Sequence, residues 1–182
     1  GGLFIGASAL RSDADVGALD LFLLRPGGRW AVPLGRGVAV WLVAGALCAG
    51  GALAMGVALR LAGVPLGVPQ AGLAALVVGL AGGLYGLVAF AIAAWVERAT
   101  WAGLVYLVVF DTGLAAGVDS LGRWTVGTPA RALLDSALSE TSWQAAPTES
   151  PALLLGRLAV LALVLAAVAT LRFAGPLDIS DR

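Results

Sequence analysis

The sequence predicts an all-α fold, a polytopic transmembrane helical bundle, and two observations support this prediction. Hydrophobic residues make up 60% of the 182 residues, charged residues only 12%, and the mean hydropathy is +0.96, far from the values of soluble domains. Several apolar segments reach the roughly 20 residues that a helix needs to cross about 30 Å of hydrocarbon. We expect about four complete spans, the end of a preceding span, a short cytoplasmic amphipathic helix and an outer-surface loop.

The four predicted spans cover residues 33–62, 70–96, 99–118 and 152–171. Residues 63–69 are rich in Gly and Pro and form the first turn, and Glu97 and Arg98 mark a tight second turn. Residues 1–10 are typical of the last turns of a helix, so we expect the chain to be truncated at its N-terminus. Residues 119–151 are polar enough for the outer loop, in which Thr128 and Pro129 begin a short capped helix on the membrane surface.

The placement of arginines predicts the orientation, because the cytoplasmic flanks of spans are enriched in positive charge. The chain contains no lysine. One predicted side holds Arg11, Arg25, Arg29, Arg36, Arg98, Arg172 and Arg182, and the other holds Arg60, Arg123, Arg131 and Arg157. We therefore expect a multi-pass protein of the cell membrane whose tail, residues 172–182, is cytoplasmic.

The residue types that are missing exclude several chemistries. The chain has no histidine and a single cysteine, Cys48, so a zinc site, a Cys/His nucleophile pair and an internal disulfide lack their side chains. The formal net charge is zero and the basic residues are scattered, which does not suit a phosphate backbone. We expect no catalytic residue, no cofactor, no metal and no nucleic-acid partner in this chain.

Small residues recur along the second predicted span at helical spacing. Ala71, Ala75, Gly79 and Gly83 follow one another every four residues. Small side chains at this spacing let two helices approach closely in lipid. We expect Ala75, Gly79 and Gly83 to pack against another helix, either in the same chain, which we favour, or in a second copy.

Asp111 lies within an otherwise apolar segment, where a carboxylate costs roughly 2.5 to 3.5 kcal/mol on insertion scales. Two interpretations are open. The residue lies on a translocation path for substrate or protons, facing Arg60 or Arg157, or residues 111–113 mark an early helix end in a water-filled outer vestibule.

Residues 12–25 are too short to span but have strong helix signals. Ser12 can cap the first turn with Asp15 three residues later, and Pro26 and two glycines end the helix. Acidic residues and leucines both occur along this short predicted helix. The pattern predicts an amphipathic helix at the membrane boundary.

The stretch from residue 10 to residue 36 resembles the most recognisable segment of type 2 ABC exporter permeases. The matching residues are Asp15, Gly17, Ala18, Leu19, Asp20, Leu23, Leu24, Pro26, Arg29, Gly35 and Arg36. Asp replaces the family's usual Glu, Ala18 its Thr and Arg36 its Lys. A weaker similarity lies in the tail, at residues 171–173 and 178–179.

This resemblance implies a subunit that works as a dimer of permease copies with a separate ABC ATPase bound on the cytoplasmic face. The short helix would be the coupling helix, and its contacts to the ATPase would come from Asp13, Asp15, Leu19, Asp20, Leu23 and Arg29. ATP and Mg would bind to the partner, since the chain has no phosphate-binding loop. Family members usually have six spans, which also suggests truncation.

Two other functions are compatible with the sequence. One is an ion- or proton-coupled secondary transporter centred on Asp111, which would be indifferent to ATP. The other is a membrane subunit that holds a partner and transports nothing. An apolar path lined by Ala, Leu, Gly and Val does not identify a substrate.

Overall fold

The computed structural model describes residues 31–96, 99–114, 123–138 and 150–174, and the elements within these ranges are all helical. The helices are α1 (Ala31–Leu61), α2 (Val68–Ala93), α3 (Ala99–Val105), α4 (Gly127–Leu138) and α5 (Pro151–Ala174), with a π-helical segment at Tyr106–Leu114 that continues α3. The predicted all-α class holds for this part of the chain.

Three helices are long and apolar enough to cross a membrane: α1, α2 and α5. The third predicted span, residues 99–118, is not confirmed. Its described part consists of a seven-residue α-helix and a nine-residue π-helical segment. Residues 115–118 lie outside the described ranges.

A tight turn joins α1 to α2 and sets them side by side. Gly63 adopts a φ of +85°, which favours glycine. Its N–H donates to the Arg60 carbonyl at 3.1 Å and the N–H of Val64 donates to the Leu59 carbonyl at 3.1 Å, the two bonds of a Schellman motif. The helix α2 then begins at Val68, after the Gly67 N–H donates to Gln70 Oε1 at 2.9 Å.

The helix α2 is the centre of the bundle. About two-thirds of the most apolar 18-residue stretch of α2 is buried within the bundle, compared with 17% of the corresponding stretch in α1 and in α5. One cluster joins α2 to α4 and α5 and comprises Leu84, Leu87, Val88, Val126, Leu133, Leu154 and Leu158, and a second joins α1, α2 and α5 through Val40, Phe90, Ala91 and Ala169. The apolar outer faces of α1 and α5 are therefore suited to contact with lipid or with further subunits.

The helix α4 lies inside the predicted outer loop but packs into the bundle. Val126, Pro129 and Leu133 are buried, and α4 contacts both α2 and α5. The predicted start at Thr128 and Pro129 is close to the observed start at Gly127. Residues 119–122 and 139–149 of the predicted loop lie outside the described ranges.

Candidate functional site

The most buried charged side chain in the described ranges is Asp111, which is 5% exposed. The Tyr85 hydroxyl of α2 donates a hydrogen bond to its Oδ2 atom. The backbone N–H of Gly127, the first residue of α4, donates to its Oδ1 atom at 2.9 Å. A single carboxylate from the π-helical segment therefore connects two other helices.

The first turn of α4 has its N–H groups satisfied one by one. Gly127 donates to Asp111, and the Thr128 N–H donates to the Thr125 hydroxyl at 3.5 Å. Pro129 has no N–H to satisfy, and the Ala130 N–H donates to the Val126 carbonyl at 3.3 Å as the first intrahelical bond. The orphan donors that every helix start carries thus have partners although the segment is buried.

Asp111 also occupies the space that a side chain at Gly127 would need. A Cβ atom built on Gly127 would lie 2.6 Å from Asp111 Oδ2 and 2.8 Å from Oδ1. Contacts below about 3.4 Å are too short for carbon. Glycine at position 127 is therefore what lets the carboxylate reach the backbone of α4.

If α2 crosses a membrane, its length places the site within the membrane's depth. Tyr85 precedes the last residue of α2, Ala93, by about 12 Å at the helical rise of about 1.5 Å per residue. The 26 residues of α2 span about 39 Å, roughly 9 Å more than the hydrocarbon core. Even if all of that excess projects at the Ala93 end, Tyr85 remains about 3 Å inside hydrocarbon. The N-terminus of α4 starts at the level of Tyr85 in the bundle, since both contact the Asp111 carboxylate.

Two further residues lie near this site in the sequence of the helices. Arg131 is an exposed residue in the second turn of α4. Tyr106 lies one turn before Asp111 and stacks on Phe110, with ring centroids 5.9 Å apart. Residues 31–96, 99–114, 123–138 and 150–174 contain no group of three His, Cys, Asp or Glu side chains suited to a metal. Hydrogen bonding and capping are the chemistry that this arrangement supports.

The two arginines that the sequence suggested for Asp111 lie in other helices. Arg60 is in the last turn of α1, next to the start of α2 and so about 26 Å along the α2 axis from Tyr85. Arg157 is in α5, next to Leu158 of the cluster that packs α4. Tyr85 was not singled out in the sequence. The sequence feature that could have identified Tyr85 is that it is a single tyrosine in an apolar helix. A tyrosine hydroxyl in such a setting needs a hydrogen-bond partner.

The small residues of α2 lie against α1. A Cβ atom added at Gly79 would lie 3.0 Å from Ala49 Cβ and 3.1 Å from the Gly45 carbonyl oxygen. At Gly83 it would lie 2.6 Å from Trp41 Cδ1. Ala75, in the same row, is 3% exposed. The neighbour of this stripe is therefore a helix of the same chain.

An apolar groove of about 260 Å³ runs between α1, α2 and α5. Its lining includes Gly37, Trp41, Phe90 and Ala166. No charged side chain lines it. A surface of this kind offers no charged group for polar recognition.

The predicted coupling residues Asp13, Asp15, Leu19, Asp20, Leu23 and Arg29 lie outside the described ranges, as do residues 1–10 and the tail from residue 175. Comparisons of the chain with family models, with curated proteins and with solved structures find no match. Any assignment of function must therefore rest on the residues of the chain and on the geometry of the bundle.

Proposed function

We propose that this chain is the membrane-spanning permease subunit of an ATP-driven ABC transporter of the export type. In this proposal a separate ATPase subunit hydrolyses ATP on the cytoplasmic face, and the permease moves the substrate without chemistry of its own. The observation that carries the proposal is the run of residues from Asp15 to Arg36 that resembles type 2 ABC permeases.

The start of α1 supports this assignment. In the family the motif leads directly into a spanning helix, and α1 begins at Ala31, so that Gly35 and Arg36 lie in its first two turns. The helix is 31 residues long, about 46 Å at helical rise, which exceeds the hydrocarbon thickness. A displacement of the proposed coupling helix would therefore be transmitted along one long, continuous helix.

The distribution of buried surface also suits a subunit of a larger assembly. The helices α1 and α5 each bury only 17% of their most apolar window within the chain. Their outer faces are apolar and free to contact lipid, a second permease copy, or both. We place the protein in the cell membrane with its C-terminus in the cytoplasm, in line with the arginine distribution.

The geometry of Asp111 favours this function over a proton-coupled carrier. Tyr85 and Gly127 each donate a hydrogen bond to its carboxylate, so a local structural role explains why an acidic residue is present in the membrane. A scaffold without transport activity remains the other alternative, and flux measurements separate it from a transporter.

Affinity purification from the native membrane tests the proposal. The chain is extracted in a mild detergent and the proteins that co-purify are identified by mass spectrometry. We expect an ATPase with a phosphate-binding loop at near-equal amounts. The double variant Asp15→Arg and Asp20→Arg should lose this partner while its insertion is unchanged, because the reversed charges no longer fit the docking groove.

The matched control is Asp135→Arg, which reverses an exposed carboxylate of α4, outside the proposed coupling helix. It should retain the ATPase. An ATPase that co-purifies equally with the double variant contradicts the proposed coupling helix, and the absence of any ATPase from the unmodified chain contradicts the proposed function.

A further inference from the structure

We propose that Asp111 is a positioning residue that fastens the N-terminus of α4 inside the membrane, and that it acts there as a hydrogen-bond acceptor and not as a proton carrier. This inference does not depend on the transport function, because it concerns how one helix is held. Three independent observations lead to it.

The first observation is that α4 begins at a buried position, with Val126 and Gly127 both buried. Inside hydrocarbon an unpaired N–H group is costly, and irregular backbone is tolerated only where the protein satisfies it. The Gly127 N–H is such a group, and its partner is Asp111 Oδ1 at 2.9 Å. Without that oxygen, the start of α4 would leave a buried donor unpaired.

The second observation is that both carboxylate oxygens are engaged by different elements. Oδ2 accepts from the Tyr85 hydroxyl of α2 and Oδ1 accepts from α4. The two donors belong to helices that are far apart in the sequence. The two hydrogen bonds therefore hold the side chain in one place.

The third observation is the missing side chain at Gly127. Any larger residue would put its Cβ within 2.8 Å of both Asp111 oxygens. The close approach of carboxylate and backbone thus depends on a pair of residues, Asp111 and Gly127, and a change in either one breaks the same contact.

An amide can replace the carboxylate in this role. In Asp111→Asn the Oδ1 atom can still accept from Gly127, and the new NH₂ group can donate to the Tyr85 hydroxyl, which can both donate and accept. The fastening should survive in Asp111→Asn and fail in Asp111→Ala. If Asp111 served as a proton carrier, neither variant could replace it, because neither side chain titrates.

Thiol accessibility in native membrane vesicles tests the proposal. The only native cysteine is removed by Cys48→Ala, and Ala130→Cys is the reporter, because Ala130 is 9% exposed in the first turn of α4. The probe is a membrane-impermeant maleimide. The reporter should resist labelling in the otherwise unmodified chain and with Asp111→Asn. It should react about tenfold faster, or more, with Asp111→Ala or Gly127→Ala, since a charge-assisted bond of ordinary strength is lost.

A second reporter, Ser150→Cys, lies at the exposed start of α5 and should label equally in every background, which checks insertion and reagent access. Rapid labelling of Ala130→Cys in the otherwise unmodified chain would overturn the membrane-buried position of α4. Equal protection with Asp111→Ala would overturn the fastening. If Asp111→Ala does not accumulate, Gly127→Ala and Asp111→Asn decide, and labelling of the Asn variant as fast as that of Gly127→Ala overturns the acceptor role.

Discussion

Replacing Gly83 by alanine tests how closely α1 and α2 approach. A Cβ atom at this position would lie 2.6 Å from Trp41 Cδ1 and 2.8 Å from the Trp41 carbonyl oxygen. Ordinary carbon contacts begin at about 3.5 Å. The indole ring could rotate away, but the carbonyl belongs to the backbone of α1, so the helix itself must move by several tenths of an ångström.

The expected size of the effect follows from two opposing terms. Overpacking a close contact costs about 1 to 3 kcal/mol, and alanine in place of glycine inside a helix contributes up to about 1 kcal/mol in return. Gly72, in the same helix, has no atom within 4 Å of a built Cβ. Gly72→Ala therefore experiences only the favourable term, and the free energies of unfolding of the two variants should differ by about 1 to 3 kcal/mol.

The assay is equilibrium unfolding of the purified chain in a mild detergent titrated with a denaturing one, followed by circular dichroism. Gly83→Ala should unfold at a lower fraction of denaturing detergent than the unmodified chain, and Gly72→Ala at the same or a higher fraction. If the two variants unfold together, the helices do not approach as closely as Gly83 and Trp41 indicate, and the account of the α1–α2 interface is wrong.

Two further predictions use the same protein. Tyr85→Phe removes one hydrogen-bond donor from Asp111 and should lower the free energy of unfolding by about 1 to 3 kcal/mol. The control Tyr106→Phe keeps the ring that stacks on Phe110 and should lower it less. Equal losses in the two variants would contradict the role of the Tyr85 hydroxyl. A fluorescent protein fused after Arg182 should fold and fluoresce while an alkaline phosphatase fused there stays inactive, because the tail is expected in the cytoplasm; an active phosphatase would invert the proposed topology.

The long helices were predictable because hydrophobic length is a one-dimensional property. The predicted spans at residues 33–62, 70–96 and 152–171 correspond to α1, α2 and α5 with ends that differ by a few residues. The Gly and Pro residues between positions 63 and 69 also predicted the first turn. Gly63 adopts a positive φ there, which few other residues tolerate.

The predicted span at residues 99–118 is not confirmed. Apolar content between residues 99 and 118 indicated a full crossing, but the helix changes from α to π at Tyr106 and its described part ends at Leu114. The switch in hydrogen-bond pattern leaves no mark in hydropathy. A π-helical segment often occurs at functional positions, and here it contains Asp111.

The partners of Asp111 were beyond the sequence for a related reason. Tyr85 precedes it by 26 residues and Gly127 follows it by 16 residues, and neither separation reflects a helical period. The local pattern predicted a helix starting near Thr128, but not that this helix packs against α2. The sequence indicates that a carboxylate in an apolar segment requires a hydrogen-bond donor. Only the tertiary packing shows that the donors are Tyr85 and Gly127.

The central claim is that the rod at residues 12–25 contacts an ATP-hydrolysing subunit in the cytoplasm, and site-specific photocrosslinking tests it most directly. A photoreactive amino acid is placed at Leu23 in the native membrane and the crosslinked products are identified by mass spectrometry. The account predicts a crosslink to an ATPase that carries a phosphate-binding loop. Crosslinks to lipid alone, or to a protein on the extracytoplasmic side, would contradict it.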